Sequence, residues 1–264
     1  MANEIKKIYK HYENEAKKSV LSPKSTMRDQ FIRKLEVEKI TSLLKEIIGN
    51  KKQKVLEIGC GNGYTLKQIR SKFDCEFTGT DVNKEMIKNA NLRKLKNVTF
   101  KVDDVTKTKI PKQSFDVVFT NRCLINLKDW NFQKKALKNI FSLLKPEGHL
   151  IMIEAFSEGL AELNKARKTL DLEPIKPAWH NSYFNSKEFK NFIKTKFCDY
   201  FSRSSNIQID SFLSSYYFGS RILYPSLIQN KKKLEYNNKF VEFFSFMPSY
   251  GNYGPIQCCV LIKK

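Results

Sequence analysis

The sequence predicts an α/β fold with a mostly parallel seven-stranded sheet, helices on both faces and a helical lid insertion. Short apolar strands alternate with helical patterns, glycines follow the first strand, and an acidic residue ends the second. Alternating strands and helices indicate a parallel sheet because each crossover helix returns the chain to the same edge. The length of 264 residues suits one domain with an insertion, or one domain plus a small second one.

The first helix is expected to start at the capping pattern Thr26–Asp29, and apolar residues at a 3.6-residue period carry it to Gly49–Asn50. The first strand runs into glycines, and a Lys-Pro-Glu-Gly turn precedes the fifth. The strands are predicted at 54–59, 75–81, 98–102, 115–120, 149–154, 207–218 and 256–262. Further helices are predicted at 64–73, 84–94, 132–144 and 238–246.

Two segments fall outside this alternation. Residues 1–24 are polar, and we expect them to be irregular and to form an N-terminal cap segment beside a main domain at 25–264. The alternation also stops at 157–196, where a helical stretch, two prolines and an aromatic, polar run indicate the lid. The last two strands are expected to pair antiparallel and complete the sheet. On the strand at 207–218, the adjacent Tyr216 and Tyr217 should face opposite sides.

The positive charge balance indicates that partners could carry negative charge. Basic residues number 48 and acidic residues 27, a net charge of +21, which fits nucleic acid, anionic lipid or phosphorylated substrates. Few of the basic residues are arginine and they are spread along the chain, so we favour a solvated basic surface and consider nucleic acid an unlikely partner. The six cysteines lack metal-ligand spacing, so we expect neither disulfides nor metal. Without a signal-like apolar region or a membrane-length apolar run, a cytoplasmic protein is expected.

The most informative segment joins the first strand to the next helix. Glu57 lies in the strand, which ends at Gly59, Gly61 and Gly63, and Asp81 follows 18 residues after the last glycine. Glycines at a strand–helix turn let a ligand approach the backbone, and an acidic residue ending the next strand can bind ribose hydroxyls. The segment therefore predicts a nucleotide-like cofactor site.

This segment resembles motif I of the class I S-adenosylmethionine-dependent methyltransferases, in which an acidic residue stands two positions before the first glycine, as Glu57 does. Three more segments match that family in order: Phe100–Val105, Ser114–Val118 and Leu143–Ile151. The resemblance implies a Rossmann-like fold, S-adenosylmethionine as the cofactor and methyltransferase activity.

The resemblance also implies roles for single residues. The three glycines would hold the methionine moiety, Glu57 would order the loop and the amino group, and the Asn121 carbonyl would lie near that amino group. Asp81 would bind the ribose, and Asp104 with the backbone of Val105 would contact the adenine. Asp116 is expected to be structural. Ile125–Asn126 stands where many relatives carry histidine, so no general base is predicted in that loop.

Among the three histidines, His180 is the candidate general base, because Trp179, Asn181 and Tyr183 surround it in the predicted lid and suit a polar, ring-shaped acceptor. A purely structural role for His180, as a lid residue that only closes the fold, is weighed equally with the role of general base. Arg28 and Tyr9 are assigned to a cap over the cofactor, although Arg28 fits a surface helix position as well.

A second resemblance, carried by residues 163–175, 179–181 and 22–29, is to bacterial methyltransferases associated with surface-polysaccharide biosynthesis. It implies O-methylation of a sugar, a sugar nucleotide or another phosphorylated precursor. Two alternatives stay open: an RNA methyltransferase, and a catalytically inactive cofactor-binding partner subunit. The sequence does not predict an oligomeric state.

Overall fold

The computed structural model of the protein describes residues 2–18, 20–22, 27–197, 207–228 and 234–264, with the side chains of 2–5 left out. Three features of the sequence therefore lie outside the described residues: Thr26 of the capping pattern, Cys198 and the lysine run Lys231–Lys233. Within the described ranges, none of the helices combines the length and the apolar character needed to span a bilayer.

The strands form one seven-stranded sheet, as predicted. They are β1 (Lys54–Ile58), β2 (Glu76–Asp81), β3 (Val98–Val102), β4 (Phe115–Asn121), β5 (Leu144–Ala155), β6 (Ile209–Asp210) and β7 (Ile256–Ile262). Their order is β3-β2-β1-β4-β5-β7-β6. The first five strands of this order are parallel to their neighbours, and β7 pairs antiparallel with both β5 and β6. The order reverses direction between β1 and β4, which is where open parallel sheets bind ligands.

Ten α-helices are described beside the sheet. They are α1 (Ala2–Lys18), α2 (Gln30–Ile48), α3 (Tyr64–Ile69), α4 (Lys84–Asn91), α5 (Trp130–Leu143), α6 (Ser157–Lys168), α7 (Ser186–Lys196), α8 (Ser214–Phe218), α9 (Tyr224–Leu227) and α10 (Lys239–Phe243). Two hydrophobic clusters fill the layers between helices and sheet, and they use alternate residues of each central strand, as opposite faces of a sheet require. The α/β fold with helices on both faces is thus confirmed.

The N-terminal segment is helical rather than irregular. Ile8, Tyr12 and Ala16 are spaced four apart, so they share one side of α1, and all three are at least partly buried. This short apolar stripe is masked by the charged residues between them, Lys10, Glu13 and Glu15. The carbonyl of Ala16 accepts a hydrogen bond from Asn89 Nδ2 at 3.0 Å, which holds the end of α1 against α4.

Helix α2 begins at Gln30, and its N-cap is Asp29 rather than Thr26. Asp29 Oδ1 accepts hydrogen bonds from the amides of Phe31 and Ile32, both at 3.1 Å. The same carboxylate accepts from the Tyr216 hydroxyl and from Arg221 Nη2. The capping pattern in the sequence was three residues early because an aspartate serves as well as a threonine in this position.

The strand predicted at 207–218 is mostly wrong. Only Ile209–Asp210 pairs with β7, and the chain then turns into α8. Tyr216 and Tyr217 are both buried and do not face opposite sides of a sheet. Aromatic residues favour strands, but here the hydrogen bond from Tyr216 to Asp29 and packing of its ring on Phe31, 6.4 Å between centroids, fix a helix instead.

Residues 157–196 are partly built into the core. Leu163 of α6 and Phe189 and Ile193 of α7 are fully buried and belong to the two hydrophobic clusters. An isolated parallel bridge joins Phe156 to Phe184. The stretch between the two helices, residues 169–185, is largely irregular, and its assignment as a lid stays a prediction.

Candidate active site

A cavity of about 470 Å³ opens at the carboxyl ends of the central parallel strands, next to the point where the strand order reverses. Its volume suits a small-molecule cofactor. The wall is formed by α1, by the glycine loop (residues 59–63) and by the segments that follow β2, β3 and β4.

Backbone conformation explains two of the glycines in the loop. Gly59 has φ +74°, and a Cβ atom there would collide with the side chain of Cys123. Gly63 has φ +72°, precedes α3, and would place a Cβ 2.6 Å from Phe100 Cζ. Gly59 and Gly61 line the cavity, whereas Gly63 does not. The first two glycines therefore bring the backbone to the ligand space, and the third lets α3 pack closely on the sheet.

Two buried acceptor atoms of cavity-lining residues have no hydrogen-bond partner within ordinary geometry in the described structure: Glu57 Oε2 and Asn121 Oδ1. Glu57 is only 2% exposed, and burial raises its pKa to about 8, partly offset by the charge of Arg33 and by the neighbouring Thr65 hydroxyl. Asn121 Nδ2 donates to Glu36 Oε2 at 3.2 Å, which orients the amide and leaves its oxygen unpaired. Unpaired buried acceptors are costly, so this end of the cavity is suited to a ligand that donates hydrogen bonds.

Charged residues from α2 and the end of β4 surround the same end. Glu36 is fully buried and binds Arg122 Nε at 2.6 Å, while Arg33 Nη1 lies 3.8 Å from the second Glu36 oxygen. Arg33 also lines the cavity, and its Nε is buried with no partner among the described residues. This end of the cavity thus offers an unpaired donor as well as unpaired acceptors.

The ribose and adenine candidates also reach the cavity. Asp81 accepts hydrogen bonds from the amides of Gly61 and Asn83, and burial nevertheless raises its pKa. Asp104 caps the short 3₁₀ turn Val105–Lys107 by accepting from the Thr106 amide at 2.9 Å. Both carboxylates and Val105 line the cavity. Asp116 lies at the other end of the sheet, where it binds the Lys54 amide and Lys145, as its structural role predicts.

Residues 49–196 match a family model described as a methyltransferase domain, which is more than half of the chain. The chain belongs to this methyltransferase family. Its fold and motifs place it among the class I enzymes, whose cofactor is S-adenosylmethionine.

Two curated relatives illustrate the range of acceptors in similar proteins. A malonyl-[acyl-carrier protein] O-methyltransferase of Bacillus cereus is 29% identical over 150 residues, 54% of this chain and 54% of the relative. A phosphoethanolamine N-methyltransferase of Plasmodium falciparum is 25% identical over 182 residues, 65% of this chain and 66% of the relative. The chain spans about half the length of the first curated relatives that it matches.

Solved structures agree on the fold. The plantazolicin methyltransferase BpumL, in complex with SAH and a triazolic desmethylPZN analog, is 16% identical, with a TM-score of 0.58 over 100% of this chain and 99% of that one. Phosphoethanolamine N-methyltransferase 2 of Haemonchus contortus, in complex with S-adenosyl-L-methionine, is 20% identical, with a TM-score of 0.54 over 86% of this chain and 52% of that one. At these identities the likeness establishes the methyltransferase fold and nothing finer.

One part of the cavity wall is formed by a contact between α1 and the loop after β4. The Tyr12 hydroxyl donates to Asn126 Oδ1 at 2.7 Å, and Asn181 Nδ2 donates to the same oxygen at 2.8 Å. Tyr12 and Asn126 line the cavity, whereas Asn181 lies behind them. Asn126 thus joins the N-terminal helix to the irregular stretch of the predicted lid.

His180 belongs to an aromatic cluster behind Tyr12 and does not line the cavity. Its ring centroid is 4.7 Å from that of His11 and 5.7 Å from that of Tyr12. Burial and, to a lesser degree, His11 lower the pKa of His180, and its Nδ1 is buried without a partner in the described part of the chain. The imidazole is therefore kept neutral beside the cavity wall.

Other predicted residues take different positions. Tyr9 lines the cavity, as the cap prediction requires, whereas Arg28 is exposed and away from it. Trp179 is 65% exposed, and Tyr183 is partly buried in the core clusters rather than at the cavity surface. The structure thus brings most of the cofactor candidates to the cavity, with Gly63 and Arg28 as the exceptions, whereas the acceptor candidates do not line it.

Three kinds of residue on the cavity wall were not singled out by the sequence analysis. Arg33 lies on a helix where arginine is ordinarily a surface residue, and Tyr12 lies in a segment that was predicted to be irregular. Lys107, Lys128 and Lys135 line one side of the cavity, but nothing separates them in the sequence from the many other lysines. Only the tertiary fold selects them.

Proposed function

We propose that this protein transfers a methyl group from S-adenosylmethionine to a small acceptor that carries a phosphate or another anionic group. The observation that carries the cofactor half is the cluster of unpaired polar atoms beside the glycine loop: Glu57 Oε2, Asn121 Oδ1 and Arg33 Nε. All three belong to cavity-lining residues, and they supply acceptors and a donor together.

These atoms match the amino-acid end of the cofactor. An ammonium group needs hydrogen-bond acceptors and favours negative charge, which Glu57 and Asn121 supply. A carboxylate needs a donor, and a guanidinium is well suited to bind one. Burial raises the pKa of Glu57 in the free protein, so the approach of a cation would restore its ionised form.

The remaining cofactor contacts are proposals from the same wall. The backbone of Gly59 and Gly61 would lie against the methionine moiety, and Gly63 would keep the loop in place. Asp81 would accept from the ribose hydroxyls. Asp104 Oδ1 accepts from Thr106 and Oδ2 lies 3.8 Å from Lys107 Nζ, a loose pair whose lysine is largely exposed. Asp104 Oδ2 would therefore turn to the adenine together with the backbone of Val105.

The cofactor supplies an electrophilic methyl group when it is bound, so the protein's own task is to position the acceptor and exclude water. Helix α1 serves both needs because Ile8, Tyr9 and Tyr12 cover the cavity. The Tyr12 bond to Asn126 closes this cover on the acceptor side.

The acceptor half rests mainly on Lys135. Lys107, Lys128 and Lys135 all line the cavity, but Lys107 lies 3.8 Å from Asp104, so Lys135 is the lysine whose charge would favour an anionic acceptor. Sugar phosphates, sugar nucleotides and phosphoethanolamine all meet this requirement, and the last is named in a relative's activity. A role in surface-polysaccharide biosynthesis and a cytoplasmic location remain predictions from the sequence.

His180 is the proposed base for an acceptor that must lose a proton. Its neutral imidazole has an unpaired Nδ1, and Tyr12 contacts both the His180 ring and the cavity. Asn181, which binds Asn126, is the proposed acceptor-side support, and Trp179 and Tyr183 are assigned to the walls around it.

The test is calorimetric titration with S-adenosylmethionine, with NAD as the control ligand, followed by transfer of a labelled methyl group. The acceptors are phosphoethanolamine, glucose 1-phosphate, a uridine diphosphate sugar and total RNA. We expect binding of S-adenosylmethionine alone and transfer to a phosphorylated small molecule. Transfer to RNA with a steep salt dependence would replace the proposal by the RNA alternative, and the absence of S-adenosylmethionine binding would favour an inactive partner subunit.

A further inference from the structure

The buried carboxylate of Glu154, at the end of β5, binds three consecutive backbone amides. Its Oε1 accepts from Cys123 and Leu124 at 3.1 and 3.0 Å, and its Oε2 accepts from Ile125 at 3.2 Å. Glu154 has no exposed surface, and burial raises its pKa to about 7, against the opposing effect of the three N–H groups and of the Thr120 hydroxyl. It does not line the cavity.

The three amides belong to the loop that carries Asn126. This β4–α5 loop, residues 122–129, contributes Arg122, Cys123 and Asn126 to the cavity wall. It begins at Arg122, whose φ of +52° lies in the left-handed region that side chains other than glycine rarely adopt. A loop that starts in this conformation needs other contacts to fix it.

The same loop also joins the other parts of the acceptor side. The Ser182 amide donates to the Ile125 carbonyl at 2.7 Å, and Gln133 Nε2 bridges the carbonyls of Leu124 and Ser182. Asn126 receives the hydroxyl of Tyr12 from α1. Displacing the loop would therefore move the contact that closes α1 over the cavity.

We propose that Glu154 is a positioning residue for methyl transfer, which acts by holding the β4–α5 loop so that Asn126 meets Tyr12 of α1. The inference rests on the proposed function, because it assigns a catalytic consequence to the closed acceptor side. Glu154 touches neither the cofactor site nor the acceptor space, and its effect passes through the loop alone.

A carboxylate is required here because three donors converge on it. A glutamine of the same shape offers one oxygen, and its NH₂ group would face an N–H donor. Glu154→Gln should therefore release at least one loop amide while preserving the volume of the core.

The experiment compares Glu154→Gln with Glu158→Gln. Glu158 is a matched control because its carboxylate also binds a backbone amide, that of Ser186 at 2.8 Å, within the 157–196 segment and off the cavity wall. Three quantities are measured: the Kd for S-adenosylmethionine, kcat and KM with the phosphorylated acceptor that wild type methylates best, and amide hydrogen exchange in the cofactor-bound protein.

For Glu154→Gln we expect kcat to fall by about 100-fold, the order produced by a misplaced reacting geometry. The Kd for S-adenosylmethionine should change by less than about threefold, well under 1 kcal/mol. Exchange should increase at residues 123–126 and also at residues 8–12 of α1. Glu158→Gln should leave kcat and the exchange of α1 unchanged.

Faster exchange confined to 123–126, with normal kcat, would make Glu154 a local structural residue and overturn the inference. If wild type binds S-adenosylmethionine but methylates none of the acceptors, the inference is judged by amide hydrogen exchange in α1 alone. Unchanged exchange of α1 in Glu154→Gln would then overturn the inference. A wild type that does not bind S-adenosylmethionine is instead the failure of the proposed function.

Discussion

Asp81 Oδ2 accepts a hydrogen bond from the Gly61 amide at 2.9 Å, so the residue assigned to the ribose also supports the glycine loop. Its other oxygen accepts from the Asn83 amide at 2.8 Å, one residue before α4. A single carboxylate thus joins β2 to the loop after β1, beside the position proposed for the ribose.

Replacing Asp81 with alanine should weaken binding of S-adenosylmethionine by about 1.5–3 kcal/mol, because charge-assisted hydrogen bonds are lost. Asp81→Asn should lose less, since an amide keeps one acceptor oxygen. Calorimetric titration measures both. Asp74→Ala, two residues before the other end of β2, is the control and should bind normally; an unchanged affinity in Asp81→Ala would mean that the ribose binds elsewhere.

The raised pKa of Glu57 predicts that the protein releases a proton when the cofactor binds. Burial raises its pKa to about 8, so at pH 7 it is mostly protonated in the free protein, and a bound ammonium group favours the ionised form. Affinity should therefore rise as the pH rises from 6 to 7, where an α-amino group is already protonated. Titration in buffers of different ionisation enthalpy counts the proton.

The control for this proton is Glu57→Gln, which cannot ionise. It should bind S-adenosylmethionine more weakly, with an affinity that no longer rises over this pH interval. Equal proton release by wild type and Glu57→Gln would assign the proton to another group and would contradict the placement of the ammonium group beside Glu57.

Removing the hydroxyl of Tyr12 should loosen the closure of α1. Tyr12→Phe loses the hydrogen bond to Asn126, a contribution of about 0.5–1.5 kcal/mol. Turnover of the acceptor should fall, while affinity for S-adenosylmethionine changes little. Tyr9→Phe, on the same helix and the same cavity wall, is the matched control. Steady-state kinetics should show a larger fall in kcat for Tyr12→Phe than for Tyr9→Phe. Identical kinetics would show that the Tyr12–Asn126 contact is not used in catalysis.

The lysines of the cavity wall predict a charge-selective acceptor site. Lys135→Ala should raise KM for a phosphorylated acceptor about fivefold, which corresponds to about 1 kcal/mol for one exposed ion contact. The increase should shrink at high salt because exposed charges are screened. Lys138→Ala, on an exposed position of the same helix, should leave KM unchanged; the same KM in both variants would place the anionic group away from Lys135.

Much of the cofactor half of this site could be predicted from the sequence, because its signals are local. The Gly59–Gly63 turn, Glu57 in the preceding strand and Asp81 at the end of the next strand each reflect the backbone geometry of one strand–turn–helix unit. Helix α1 was missed because charged residues of both signs interrupt its short apolar stripe. Arg33 and Tyr12 were missed because their roles depend on contacts with residues far away in the chain, such as Asn126.

The same distinction explains the errors near the C-terminus. Residues 207–218 have the composition of a strand, and their conformation is decided by contacts with Asp29 and Phe31, which are more than 170 residues away. Periodicity in a single segment contains no information about such partners. The short strand Ile209–Asp210 is the part for which local preference and tertiary pairing agree.

His180 gives the sharpest test of acid–base chemistry on the acceptor side. Burial and His11 both lower the pKa of its imidazole, so the residue stays neutral and able to accept a proton down to a pH below the usual range of histidine. His180→Ala should reduce turnover by about 10²–10⁴ and leave affinity for S-adenosylmethionine nearly intact. His149→Ala, in β5, is the control and should remain active.

The pH dependence of kcat in a His11 variant is a second test of His180 as the base. The His11 ring lies 4.7 Å from that of His180. Because His11 lowers the pKa of His180, His11→Ala should raise that pKa and move the acidic limb of the kcat profile to higher pH. Full activity of His180→Ala would mean that the acceptor reacts through positioning alone. An acidic limb that stays in place in His11→Ala would assign that ionisation to a group other than His180.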